Sequence, residues 1–150
     1  MELARRSIMR HEGLRLYVYD DETGLAVRPG TVVRGNPTIG WGRNLVDPGI
    51  TRDEADAMLD ADLGRAWAIA RRFAGEAWSA LSSVRRAVLI DMAFNLGHRL
   101  DRFVRMRDAL RDGDFEAAAR EMLDSRWARQ VNRRAERLAE AMRTGIATES

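Results

Sequence analysis

The chain has 150 residues, 25 basic and 23 acidic side chains, a net charge of +2 and no cysteine. That length suits one domain, possible in two lobes, which buries roughly 70% of its extended surface without a disulfide or metal staple. The absence of cysteine excludes thiol nucleophiles and cysteine-type zinc sites and fits either redox compartment. Every basic residue is arginine, as a GC-rich coding genome would produce or as selection for anionic partners would. The high isoelectric point reflects the unshiftable arginine pKa rather than a large basic field. Charge is nevertheless uneven: residues 126–150 carry six Arg against three Glu, and residues 45–75 carry six acids against four Arg. Composition alone therefore leaves a nucleic-acid or anionic-surface role open. The opening MELARRSIMRHEG has no long apolar run of the kind a secretory signal or anchor needs, so a cytoplasmic location is expected.

Residues 2–11 place Leu3, Ile8 and Met9 on one side of a short helix, which Gly13 stops. From Leu14 to Tyr19 the period changes to alternation, with Leu14, Leu16 and Val18 as the inward face of a half-buried strand. Asp20 to Gly24 is a turn signal. A second run, Leu25–Val33, holds Pro29-Gly30, and Thr38-Ile39-Gly40-Trp41-Gly42 reads as another short strand. Together these predict a small antiparallel sheet of two or three strands. Thr51-Arg52-Asp53-Glu54 is a capping box. Behind it, Ala55, Met58, Leu59, Leu63, Trp67 and Ala70 keep helical spacing to about Phe73. Such a helix spans roughly 35 Å, long enough to join two lobes. A helix from Ser82 or Ser83 to Leu96, apolar on most sides, should be the central core helix, ended by Gly97. Shorter helices are expected at about 100–111, 115–124 and 133–143, with Asp114 as an N-cap and Gly113 and Gly145 as stops. The predicted class is α+β: a β lobe at about 14–50, a linking helix at 51–73, and a helical lobe at 76–150 that also includes helix 2–11. A cleft between the lobes is the default binding site.

Three positions carry candidate chemistry. Glu12 lies at a helix C-terminus beside Gly13, where the negative dipole end and an apolar neighbour tend to keep a carboxyl protonated, as a general acid requires. Asp21 follows nine residues later, across one strand and into the turn. Two carboxylates in different environments are the basic equipment of glycoside hydrolysis. Thr38 opens the second strand, where its hydroxyl can hold a water. Each also has an ordinary reading: a solvated helix-end Glu, a turn-forming Asp with Asp20 and Glu22 as equals, and a β-branched strand residue. His11 and His98 lack ligand spacing, so no metal is expected. No P-loop, dinucleotide fingerprint or exposed-serine elbow is present. Trp41 has a better chance than Trp67, Trp78 or Trp127 of meeting a ligand.

The strings Arg10-His11-Glu12-Gly13-Leu14-Arg15-Leu16, Tyr19-Asp20-Asp21 and Thr38-Ile39-Gly40-Trp41-Gly42 together resemble the phage-type lysozymes, the T-even phage muramidase family of glycoside hydrolase family 24. In the second half, the segment from Arg85 to Asn95 resembles that family's buried central helix. Ser125-Arg126-Trp127, Arg134-Ala135-Glu136-Arg137 and Arg143-Thr144-Gly145 resemble its last helices in order. The resemblance implies a catalytic set of Glu12, Asp21 and Thr38 and a lysozyme-like fold. It implies an arginine at Arg134 paired with the catalytic glutamate, and a polar sugar contact at Asn95, which is otherwise a surface residue near a helix end. Two departures stand out. The stretch between Asp21 and Thr38 is lengthened by residues 27–36, either a wider hairpin with Arg28 or Arg34 touching substrate or a passive loop. Arg43 replaces a histidine that is usually structural.

By the same resemblance, the expected reaction is hydrolysis of the 1,4-β bond between N-acetylmuramic acid and N-acetylglucosamine with inversion, without a cofactor. The expected partners are peptidoglycan glycan strands, with no nucleic acid, no stable membrane insertion and a monomeric chain. An endolysin held in the host cytoplasm until a holin pore opens fits this biology. The alternatives are a lytic transglycosylase, which needs one acid and no water, and a catalytically silent lysozyme-like module binding anionic surfaces.

Overall fold

The computed structural model describes residues 1–147; the last three residues of the expected helical lobe lie outside them. Two compact units emerge, Met1–Asp56 and Ala57 onward, with the boundary inside one long helix.

In the first unit, α1 (Glu2–Glu12) ends where Gly13 adopts φ 68° and returns its N–H to the Met9 carbonyl. No residue of α1 is buried. It groups with the sheet, whereas the sequence reading places helix 2–11 in the helical lobe. Strand β1 (Arg15–Asp20) pairs antiparallel with β2 (Pro37–Gly40), which pairs antiparallel with β3 (Arg43–Asn44). The register sets Tyr19 opposite Thr38 and Ile39 opposite Arg43, with an irregularity in β1 between Arg15 and Tyr19. The expected inward alternation of Leu14, Leu16 and Val18 fails: Leu14 and Leu16 are exposed, and burial rises along the strand to Asp20 instead. A three-stranded sheet this small has little apolar partner surface for its first strand, and the irregularity interrupts the two-residue period.

The run Leu25–Val33 does not form a strand. It keeps one isolated bridge, Tyr19 to Ala26, before the chain turns away at Pro29-Gly30. The turn residues win over the β-branched composition because Pro cannot donate to a ladder and Gly30 sits at φ 86°. Between β2 and β3, Gly40 and Gly42 flank Trp41 at φ 70° and 80°. L side chains rarely adopt that conformation, so the spacing Gly-x-Gly is a backbone requirement of this turn. Arg43 bonds the Gly49 carbonyl and the Glu54 carboxylate at 3.0 and 2.7 Å. It thereby ties β3 to the start of α2 (Arg52–Ala74). The capping box forms as read: Thr51 N–H and Oγ1 donate to Glu54 Oε2, and Glu54 N–H donates to Thr51 Oγ1.

The second unit is built around α3 (Ser83–Leu96), which buries Val88, Leu89, Met92, Ala93 and Leu96. Ser82 caps it by accepting from Arg85 N–H, and Gly97 ends it. Around it lie α4 (Val104–Asp112), α5 (Phe115–Leu123), α6 (Arg126–Val131) and α7 (Arg133–Thr144), with short 3-10 turns at Gly75–Ala80 and Gly97–Arg102. The helix expected at 100–111 is therefore split, a 3-10 turn giving way to α4 after Phe103. Asp114 caps α5 through Ala117 N–H, and Gly113 and Gly145 take left-handed conformations at the ends of α4 and α7. Met92, Met106, Met122 and Met142 are fully buried beside Leu89 and Leu100; unbranched methionines fill an irregular helical core well. On α2 the buried positions are Ala66, Ala70, Phe73 and Ala74, whereas Met58, Leu59, Leu63 and Trp67 are exposed. The stripe with helical spacing is present, but only the C-terminal part of α2, from Ala66 on, packs into the core. Arg85 stacks over Phe115 and donates to the Met142 and Arg143 carbonyls, closing the C-terminus of α7.

Candidate functional site

Glu12, Asp21 and Thr38 all fall in the first unit. Glu12 is the last residue of α1, exposed, and its carboxylate lies against the β2–β3 turn. A Cβ built on Gly42 would lie 3.0 Å from Glu12 Oε2. The second glycine of the turn therefore serves two purposes: it supplies φ 80° and it leaves room for the carboxylate.

The acids at the end of β1 and just beyond it differ in burial. Asp20 is 2% exposed. Its Oδ1 accepts N–H bonds from Glu22, Thr23 and Gly35, and its Oδ2 accepts from Arg34 at 2.8 Å. The Arg34 amide foremost, opposed by burial and helped by the other amides, holds its carboxyl below the usual range. Asp20 is thus a buried anion saturated by backbone donors, with no face for a substrate. Asp21 is exposed and carries two bonds from one residue: Asn36 N–H to Oδ1 at 2.6 Å and Asn36 Nδ2 to Oδ2 at 3.1 Å. The Asn36 amide first, then its side chain, hold the Asp21 carboxyl below the ordinary range. Asp21 is therefore ionised at neutral and mildly acid pH, and each oxygen keeps a further lone pair for a water. The sequence left Asp20, Asp21 and Glu22 as near equals; burial removes Asp20, and of the two exposed acids Asp21 is the one held at both oxygens by Asn36.

Thr38 is 3% exposed, and its hydroxyl donates to the Asn36 carbonyl at 3.2 Å. Its proton is committed to that carbonyl, so a water reaching this buried oxygen would meet it as an acceptor. Asp21 and Thr38 thus meet at Asn36, immediately before β2, while Glu12 meets the turn immediately after it. Chemically, this unit offers one exposed carboxyl at a helix end, one anion of lowered pKa and one hydroxyl oriented as an acceptor.

The two supporting positions lie in the second unit. Arg134 donates through Nε and Nη2 to Asp91 Oδ1 at 3.0 and 2.8 Å. Asp91, on α3, is a partner that sequence reasoning did not name. Asn95 accepts from Trp127 Nε1 at 3.0 Å, and Trp127 packs edge-on against Phe103. This bond orients a buried indole, and the Asn95 NH2 makes no bond among the described residues. The second unit also holds a pocket of about 590 Å³ whose lining includes Phe103, Trp127, Arg99, Arg102, Arg105 and Arg126. Among the described residues no cluster of His, Asp and Glu could hold a metal ion, and no helix is long and apolar enough to cross a membrane.

Asn36, Gly35, Gly42 and Asp20 went unassigned in the sequence. The signals were there in the Gly-Asn pair before Pro37-Thr38 and in the Asp-Asp doublet, but their meaning depends on contacts made 14 or 15 residues apart.

A family model described as phage lysozyme matches residues 9–143. The chain is also 30% identical, over 92% of its length, to the pre-baseplate central spike protein Gp5 of Enterobacteria phage T4. It spans 27% of that relative's length.

Proposed function

The chain belongs to the phage lysozyme family, and from that premise we propose that it is a glycoside hydrolase that cuts peptidoglycan at the 1,4-β bond between N-acetylmuramic acid and N-acetylglucosamine. The observation that carries the assignment of roles is the shared anchoring of Asp21 and Thr38 on Asn36. It gives an ionised carboxylate and an acceptor hydroxyl oxygen in one place, as a water-activating pair requires.

In this reading Glu12 donates its proton to the glycosidic oxygen as the bond to the anomeric carbon breaks. A water held by Asp21 and Thr38 attacks that carbon from the opposite face and gives its proton to Asp21. Asp21 also stabilises the positive charge that develops on the sugar. Attack from the opposite face inverts the anomeric centre, and inverting carboxyl pairs stand about 6.5–9.5 Å apart. A lytic transglycosylase needs no such water-holding pair, which favours hydrolysis. The proposed setting is an endolysin that waits in the host cytoplasm for a holin pore and then lyses the cell.

A second setting has its own support, the similarity to a phage spike protein: the same chemistry carried by a virion component that opens the wall at entry. Detection of the chain in purified particles would favour the spike setting; its absence there, with lysis only when a holin is co-expressed, would favour the endolysin.

The decisive test of catalysis is clearance of permeabilised Gram-negative cells by wild type beside Glu12→Gln. The expected loss for the variant is at least 100-fold, the scale of removing a general acid. Equal clearance by both would mean that basic helices disrupt the cells without chemistry. Mass spectrometry of the muropeptides should show products one water heavier than anhydro forms.

A further inference from the structure

The stretch from Val27 to Asn36 contains no regular element, yet its end is held more firmly than its length suggests. The buried carboxylate of Asp20 draws in the N–H groups of Arg34 and Gly35. The next residue, Asn36, then engages the site with three of its polar groups. Its N–H and Nδ2 donate to the two oxygens of Asp21, and its carbonyl accepts from both Asp21 N–H, at 3.1 Å, and Thr38 Oγ1. Gly35 fits the same design. A Cβ there would fall well inside contact distance of Asp21 Oδ1 and 2.9 Å from Glu22 Cβ and N. Only a residue without a side chain lets the strap run this close beneath the carboxylate. Arg28, by contrast, makes a local turn with Thr31, its N–H donating to Thr31 Oγ1.

We propose that Asn36 is a positioning residue for the reaction, fixing the Asp21 carboxylate relative to the Thr38 hydroxyl, and that the 27–36 insertion is the strap that delivers it. The inference rests on the reading of Asp21 as the reactive anion. A carboxylate held at one oxygen by the backbone N–H and at the other by the side-chain amide of the same residue has a restricted orientation, so a water on its remaining lone pairs has a defined direction. The same bonds favour the ionised form, so Asn36 sets both the geometry and the pH range of Asp21.

The test is the kinetics of Asn36→Ala on purified peptidoglycan across pH. The Asn36 backbone bonds persist in this variant and only the Nδ2 bond is lost. The expected result is a fall in kcat of about tenfold with KM within about twofold, the signature of a misaligned reacting group. The acid limb of the kcat profile should move to higher pH, and the alkaline limb should stay. Asn36→Asp keeps the shape but faces Asp21 with a like charge, and its acid limb should move further up. Thermal unfolding of both variants separates loss of fold from loss of alignment; should Asn36→Ala not fold, Asn36→Asp supplies the same readout. Wild-type kcat and an unmoved acid limb in a folded variant, with Asp21→Asn inactive, overturn the positioning role alone. Full activity in Asp21→Asn overturns the role together with the reading of Asp21.

Discussion

Replacing Gly42 by alanine perturbs two quantities that a second glycine allows one to separate. Gly42 sits at φ 80°, where a non-glycine residue costs about 1–2 kcal/mol. Its added Cβ would also meet Glu12 Oε2 at 3.0 Å and Glu12 Cδ at 3.4 Å. Ordinary contact begins near 3.4 Å, so the carboxylate must retreat by a few tenths of an ångström. Gly40, on the other side of Trp41, has φ 70° and nothing within 4 Å of its would-be Cβ. Gly40→Ala therefore carries the backbone strain without the contact. Both variants should lose about 2–8 °C in Tm, taking roughly 2–4 °C per kcal/mol for a chain of this size. Only Gly42→Ala should lose activity beyond that, by about tenfold in kcat, because misplacement of about 1 Å can cost 100-fold and this shift is smaller. The assay is initial-rate turbidity on permeabilised cells at a temperature well below both transitions. Equal activity loss in the two variants would mean that the turn, not the room it leaves for Glu12, is what matters. Full activity in Gly42→Ala would refute the reading that Glu12 needs its present place.

Two further expectations concern the scaffold. Asp20→Asn replaces a buried acceptor of four N–H bonds with a group that is half donor, so Tm should fall. The pH dependence follows from the sign of its shift. Its folded pKa is lowered, so its contribution is complete above the unfolded value near 3.8 and is lost as pH falls through the lower folded value. Wild type should therefore lose stability on acidification below about pH 4, and denaturant melts should show a shallower loss for Asp20→Asn in that window. An identical slope would refute the assignment. Asn95→Ala leaves the buried Trp127 indole N–H without its acceptor and should cost about 1–3 kcal/mol in denaturant unfolding. A neutral effect would mean the bond is not what holds the ring.

What could be read in advance was largely what is local. Thr51 with Glu54, Ser82 with Arg85 and Asp114 with Ala117 are partners three residues apart, and Gly97, Gly113 and Gly145 stop helices by their own backbone preference. Those signals set the order of the long helices, but α6 (Arg126–Val131) and the split before α4 were not expected. The run 25–33 misled because β-branched composition says nothing of where the hydrogen bonds go: here Leu25 and Val27 bond to Asp20 and Val18, and the chain then turns on itself between Arg28 and Thr31. The apolar stripe on α2 has correct helical spacing, yet spacing cannot reveal which turns find a core. In the site, Glu12, Asp21 and Thr38 stood out only through their likeness to a family, since each alone had an ordinary explanation. Asp91 for Arg134 and Trp127 for Asn95 are partners 43 and 32 residues away. Such pairings belong to the packing of helices and leave no mark in a window of sequence.

The way Asp20 grips the returning loop has a consequence for engineering. It binds Arg34 and Gly35 through their backbone amides, so it is indifferent to most side chains upstream. The cost of a longer loop grows slowly, by only about 0.6 kcal/mol for each doubling. Residues 28–33 are thus a natural place to graft foreign peptide, such as a wall-binding or outer-membrane-crossing sequence, provided the Arg34-Gly35-Asn36 ending is kept. The loop behaves as a cassette with a fixed clasp, and the clasp is what the Asp21 carboxylate feels.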